Sequence, residues 1–195
     1  MTNIHTDNLG RVIVFDTADC TLSNLYLPSD TAGNSRALRE HYSSVIIPQL
    51  MIRRLAQGAV GGDLNCIIAN IDSSRDPKSK TSPSFKNLVS SLDWTDSYRA
   101  LFPRVKQYSR YYTNARQGEG ETRIDRSYHW GNIKTILAEY VSISFSDHLS
   151  LKLASILPCE VNRFLAPWTK PQYKIPPNVA RDETFKQRPK QKMID

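Results

Sequence analysis

Apolar and polar positions change their period several times along this chain. Val12, Ile13, Val14 and Phe15 form a short β-prone run, residues 16–19 break it, and Leu22, Leu25 and Tyr26 resume it. Two such runs across a short polar break predict a hairpin. Pro28 closes the second run, because proline cannot continue a central ladder. Over 36–57 the period lengthens. Leu38, Tyr42, Val45, Ile46, Gln49, Leu50 and Arg53 follow helical spacing, with Asn34 or Ser35 as the cap. Pro48 should kink or split that helix, and Gly58 should stop it. Ala59 and Val60 then lead into Gly61-Gly62-Asp63-Leu64-Asn65-Cys66.

Residues 70–77 read as a polar loop. Ser82-Pro83 opens a second helix, a capping hydroxyl followed by proline at the first helical position. Phe85, Leu88, Val89 and Leu92 make its apolar face, and Trp94, Tyr98, Leu101 and Phe102 extend the patch to Pro103. An aromatic and basic run, Tyr108-Ser109-Arg110-Tyr111-Tyr112, precedes a glycine-bearing loop at 117–120. Strands are expected at 123–128 and 139–144. The alternation of Leu149, Leu151 and Leu153 with polar residues predicts a last, half-exposed strand. Strands and helices mix without strict βαβ order, which points to an α+β or layered α/β sandwich.

Composition changes the picture at the two ends. Residues 1–10 form a short polar leader. From 158 to 195 the chain holds six of its eleven prolines, and eight Lys/Arg against four Asp/Glu. That segment reads as an extended, flexible tail. One domain over 11–157 remains, a normal size for a single core. The net charge of +7 makes a polyanion such as nucleic acid a plausible partner. Cys20, Cys66 and Cys159 lack zinc spacing, and an odd count argues against a disulfide framework, so a reducing compartment is expected. No apolar run approaches the roughly 20 residues of a membrane helix. The first residues lack the basic start and apolar middle of a signal peptide.

Candidate chemistry clusters at predicted strand ends. Two glycines let the backbone turn sharply before Asp63 and Asn65. If extended geometry continued there, both side chains would point to one side. An acid and an amide placed so suit a site handling phosphate and water. They equally suit a strand-to-loop corner that holds itself together. Tyr26 ends the second strand, Asp125 lies in Arg123-Ile124-Asp125, and Asp147-His148 sits before the last strand.

The order of these pieces resembles the endonuclease/exonuclease/phosphatase superfamily of magnesium-dependent phosphodiesterases. The resemblance spans roughly 11–157, with Gly62-Asp63-Leu64-Asn65 and Ser146-Asp147-His148 as its specific motifs. Residues 71–77, 108–112 and 122–128 are similar to the endonuclease domains of fungal non-LTR retrotransposons, which nick target DNA. The resemblance implies a four-layer α/β/β/α sandwich and roles position by position. His148, oriented by Asp125, would contact the scissile phosphate. Asp63 would orient or deprotonate the attacking water, Asn65 would hold that water or a phosphate oxygen by hydrogen bonding, and the Tyr26 hydroxyl would reach the phosphate. Asp147 would lie on the metal side, with Mg2+ (or Mn2+) as the ion, since such ions favour carboxylates, water and phosphate oxygens. The implied partner is the DNA phosphate backbone, and the implied compartment is the nucleus if a retroelement function is retained. No protein partner can be inferred.

The chain departs from the family in two places. The family's domain opens with a strand carrying an Asn and a later strand carrying a metal-binding Glu, both before the region matched by 11–28. Here no Glu precedes Glu40, and Asn3 and Asn8 are not expected in a strand. The sequence thus reads as N-terminally truncated, with impaired activity. Thr122 stands where abasic-site enzymes place a large aromatic, which favours a nicking enzyme over an abasic-lesion pocket.

Overall fold

The computed structural model describes residues 3–29, 34–52, 54–75, 81–114, 118–144 and 146–157. The chain divides into Met1–Pro158 and Cys159–Asp195. The second unit, and with it the expected flexible tail, falls outside the described residues.

The expected hairpin forms. β2 (Val12–Asp16) pairs antiparallel with β3 (Thr21–Tyr26). β1 (Asn3–Thr6) adds to the outer side of β2, so the leader supplies a strand and Asn3 does lie in one. β4 (Gly58–Asp63) runs parallel to β3, which requires a crossover, and the long helical segment provides it. That segment is shorter than its periodicity predicts. α1 (Ser35–His41) passes through a π-helical turn (Tyr42–Ile46) into α2 (Ile47–Met51). The widened turn lies just ahead of Pro48, whose ring and missing N–H disrupt an ordinary α-helical ladder. The helix ends before Gln57 because the chain there is already committed to the sheet. Leu55 N–H donates to Thr21 Oγ1 at 2.8 Å, Thr21 N–H to the Gln57 carbonyl at 3.1 Å, and Trp130 Nε1 to the Leu55 carbonyl at 3.0 Å. Gly58 opens β4 instead of stopping a helix.

α3 (Pro83–Ser91) begins as expected, with Ser82 Oγ accepting from Phe85 N–H at 3.3 Å. β5 (Thr95–Asp96) leads into α4 (Ser97–Leu101), whose N-terminus is capped by Asp96. β6 (Arg110–Asn114) and β7 (Gly118–Thr122) form a hairpin where the glycines predict only a loop. β8 (Asp125–Trp130) starts two residues later than expected, and β9 (Lys134–Ser142) and β10 (Leu149–Ile156) are longer than their apolar patterns.

The main sheet runs β1-β2-β3-β4-β8-β5, and β9 and β10 form a separate two-stranded sheet. One face of the main sheet buries Val12, Val14, Leu25, Val60, Tyr128 and Trp130 against Tyr42, Ile47, Met51, Phe85 and Leu88 of the helical layer. An aromatic ladder, Phe85–Tyr128–Trp94–Trp130, has ring centroids 5.9, 5.9 and 6.0 Å apart. On the other face β10 packs against β8, and α4 touches both β8 and β9. This is the layered α/β sandwich the sequence predicts.

Beneath the hairpin lies a buried ion network. Arg123, 1% exposed, donates through Nε to Asp72 Oδ1 at 2.8 Å. Its NH1 and NH2 reach the two oxygens of Asp96 at 3.1 and 2.6 Å. Arg99 NH2 adds a second bond to Asp72 Oδ1 at 2.7 Å. Burial of the Asp72 carboxyl opposes ionisation, but Arg126 and Arg123 outweigh it and hold the group below its ordinary 3.8. The network fixes Arg123, and with it the chain that leads directly into Ile124 and Asp125.

Candidate active site

Strand register assembles the site. Tyr26 is paired with Asp63 across the parallel β3–β4 ladder, and Asp63 with Asp125 across the antiparallel β4–β8 ladder. Opposed residues share a face, so three side chains from three strands stand in one row at the sheet's end. They point away from the helices, toward β10. Gly62 makes this row possible. Its φ is +145°, and a Cβ there would fall on the Leu25 carbonyl, so a side chain would push β3 and β4 apart.

The Asp63–Asn65 corner satisfies both sequence readings in part. Extended geometry stops at Asp63, and Asn65 adopts the left-handed conformation with φ 45°. Asn65 N–H donates to Asp63 Oδ1 at 3.0 Å, and its Nδ2 donates to Asp63 Oδ2 at 3.1 Å and to the Leu27 carbonyl at 2.8 Å. Leu27 N–H donates to the Asp63 carbonyl at 2.9 Å, and Arg39 NH1 donates to the Pro28 carbonyl at 3.0 Å. Asn65 is thus 7% exposed and spent on the corner, and through that corner it orients Asp63.

Asp125 and His148 meet as expected. His148 Nδ1 lies 2.8 Å from Asp125 Oδ2. The β-bridge between Arg110 and His148, and the 2.6 Å bond from Leu149 N–H to the Ser109 carbonyl, bring the His148 loop to this place. Asp147 lies at the exposed margin of the site, between Arg110 and His148. Its side chain is 63% exposed and accepts from Arg110 Nε at 3.3 Å, and its Oδ1 is 4.0 Å from His148 Nε2. Tyr26 is 47% exposed at the other end of the row.

Sequence reasoning missed Ser109. It is fully buried, and its hydroxyl uses its whole bonding capacity on this site. Ser109 Oγ donates to Asp125 Oδ2 at 2.7 Å and accepts from the N–H groups of Ile124 and Asp125, both at 3.0 Å. Tyr140 secures the same residue by donating to the Asp125 carbonyl at 2.6 Å. No spacing rule marks Ser109. Its only signal is its place inside the aromatic and basic run.

Burial and the neighbouring Asp125 carboxylate raise the Asp63 carboxyl above its ordinary 3.8, against the hydrogen bond from Asn65. A raised carboxyl is a better proton acceptor near neutrality. The same two features suit a cation. Asp63, Asp125 and His148 each offer one ligand atom, and these atoms lie within 4.8 Å of one another. Two carboxylates on rigid strand ends match a hard divalent ion that keeps water and phosphate oxygens in its remaining positions. Asp147, expected on the metal side, stands outside this trio. Beside the row, a cleft of about 450 Å³ opens between the sheets, lined by Asn24, Gly61, Ser127, Leu149 and Leu151 as well as the two acids.

No family model and no curated protein sequence matches the chain. Solved structures do. An AP endonuclease from Archaeoglobus fulgidus superposes with a TM-score of 0.59 at 15% identity, over 80% of this chain and 71% of that one. The 3′ phosphatase NExo from Neisseria, bound to a product DNA hairpin, superposes with a TM-score of 0.55 at 17% identity, over 78% and 69%. The chain therefore shares the fold of the endonuclease/exonuclease/phosphatase type. No described helix is long and apolar enough to cross a membrane.

Proposed function

We propose that the chain is a divalent-metal-dependent phosphodiesterase that nicks DNA, of the kind found in retroelements. The observation that carries the proposal is the Tyr26–Asp63–Asp125 row closed by the His148–Asp125 pair at 2.8 Å. Asp63 orients and deprotonates the attacking water. Asn65 fixes Asp63 through two hydrogen bonds. Asp125, held by Ser109, turns His148 so that Nε2 can reach a phosphate oxygen or the departing one. Tyr26 is exposed enough to donate its hydroxyl to the phosphate. A magnesium or manganese ion on the Asp63 and Asp125 carboxylates would supply charge neutralisation at the phosphate. The excess of basic charge and fold likeness to DNA-processing enzymes favour a nucleic acid substrate.

Low activity in this chain is part of the proposal. Among the described residues the second sheet has two strands, so the cleft beside Asp63 stays open to water. Water weakens the electrostatic interactions on which such a centre depends. Supercoiled plasmid, a 3′-phosphorylated hairpin and inositol phosphates, each incubated with Mg2+, test the reading. Slow nicking of the plasmid is expected. Turnover of inositol phosphates without nicking would identify a phosphomonoesterase, salt-sensitive DNA binding without cleavage would identify a binding remnant, and rapid nicking would overturn the low activity.

A further inference from the structure

Two backbone contacts tie the start of β6 to the loop that carries His148. Leu149 N–H donates to the Ser109 carbonyl at 2.6 Å, and Arg110 forms an antiparallel β-bridge with His148. Residues opposed across such a bridge present their side chains on one face, with Cβ atoms about 5 Å apart. Arg110 and His148 therefore stand side by side. Asp125 takes the Nδ1 of His148 at 2.8 Å, which leaves Nε2 as the ring nitrogen for a ligand. The Asp147 carboxylate spans the two groups. Its Oδ2 accepts from Arg110 Nε at 3.3 Å, and its Oδ1 lies 4.0 Å from His148 Nε2. One anion thus turns one oxygen to a guanidinium and the other to an imidazole nitrogen, which is how two oxygens of a phosphate would be met. The hold is slack. The first distance is long for a charge-assisted hydrogen bond, the second is beyond hydrogen-bond range, and the Asp147 side chain is exposed. Ion pairs so open to water add little stability.

We propose that Arg110 is a ligand of the substrate phosphate beside His148, and that Asp147 keeps its place in the resting protein as an internal phosphate mimic, displaced when substrate arrives. This assignment rests on the phosphodiesterase reading and deepens it. Guanidinium forks match phosphate oxygens, and a phosphate seated at about 2.7–2.9 Å from the same donors would be held more strongly than Asp147 is. Arg110 then bonds the phosphate oxygen next to the one on His148 Nε2. Asp147 acts as a competitor for these two donors, so its charge lowers the affinity of the resting site for anions. Both groups lie on one short stretch of backbone contacts, so the swap needs only a side-chain rotation of Asp147 and no movement of the sheet.

The test titrates inorganic phosphate into the full chain in chelator. Affinity is read from the imidazole signals of His148 in nitrogen-resolved NMR spectra, assigned with His148→Gln. Asp147→Asn, which removes the charge and keeps the size, should bind phosphate about 10-fold more tightly. Arg110→Ala should bind it about 10-fold more weakly, in line with loss of one charge-assisted contact. Both side chains reach solvent, so the variants keep the fold. In an Arg110→Ala background, Asp147→Asn should gain about 3-fold or less, because the donor it competes for is gone. A gain of the same size with and without Arg110 would reveal a general effect of charge and overturn the mimic. Phosphate affinity unchanged in Arg110→Ala, or weakened in Asp147→Asn, would overturn it as well. Plasmid nicking in Mg2+ separates this assignment from the reading it rests on. Wild-type nicking together with any of those three results would overturn the Arg110 assignment alone. Phosphate binding in the expected order by a chain that nicks no DNA would overturn the phosphodiesterase reading and leave the anion site standing.

Discussion

Ser109→Ala tests the geometry of the site through its least conspicuous member. The substitution deletes one O–H donor and two acceptor sites at once. Asp125 Oδ2 loses its 2.7 Å bond, and the N–H groups of Ile124 and Asp125 each lose an acceptor at 3.0 Å. Ser109 is fully buried, so water does not replace the hydroxyl. A buried donor left unsatisfied costs about 1–3 kcal/mol, so two cost roughly 2–5 kcal/mol after some relaxation. That is a large share of the 5–15 kcal/mol that typically holds a domain together. Urea unfolding followed by the fluorescence of the buried Trp94 and Trp130 measures it. Below the unfolding transition the variant should also nick DNA about 10–100-fold more slowly, because the Asp125 carboxylate keeps only His148 as a side-chain partner among the described residues. A stability loss under about 0.5 kcal/mol, with nicking at the wild-type rate, would show that Ser109 does not hold Asp125.

Three further outcomes follow from the same structure. Arg123→Met leaves Asp72 and Asp96 facing each other without their shared cation, and should cost about 3–5 kcal/mol in urea unfolding. Because Asp72 is depressed in the folded state, its contribution is complete above pH 3.8 and is lost as pH falls through its lower folded value. The urea midpoint should therefore fall on acidification between about pH 5 and pH 2, and Asp72→Asn should flatten that limb. Gly62→Ala puts a methyl group on the Leu25 carbonyl at a φ that favours glycine, and should cost at least about 2 kcal/mol by thermal unfolding.

The site was legible in the sequence to the extent that its residues fall at strand ends in a recognisable order. Asp63, Asp125 and His148 come together as the motifs predict, since register alone aligns the two acids. Asn65 was legible only as a residue type. Its left-handed backbone turns it from the phosphate side back onto Asp63 and Leu27, which the two-residue spacing could not reveal. Ser109 was illegible because its partner, Asp125, is distant in sequence. The fold shows the same division. Strong local patterns, such as Ser82-Pro83 and the run from Val12 to Phe15, gave the right elements. The long helix overran because apolar periodicity continues past Met51, while hydrogen bonds to Thr21 and Trp130 already draw residues 55–57 into the sheet. The β6–β7 hairpin was missed because Gly118 and Gly120 look like loop residues. Gly120 belongs in a strand because the Tyr112 ring fills the space of its missing side chain.

The central claim is that Asp63, Asp125 and His148 form a centre for phosphodiester hydrolysis. The most direct measurement is the rate of nicking of supercoiled plasmid with protein in excess and Mg2+ or Mn2+ present, for the wild-type chain, Asp63→Asn and His148→Ala. Slow conversion to open circles by the wild type, abolished by chelator and absent in both variants, is the predicted result. Nicking that persists unchanged in both variants would contradict it.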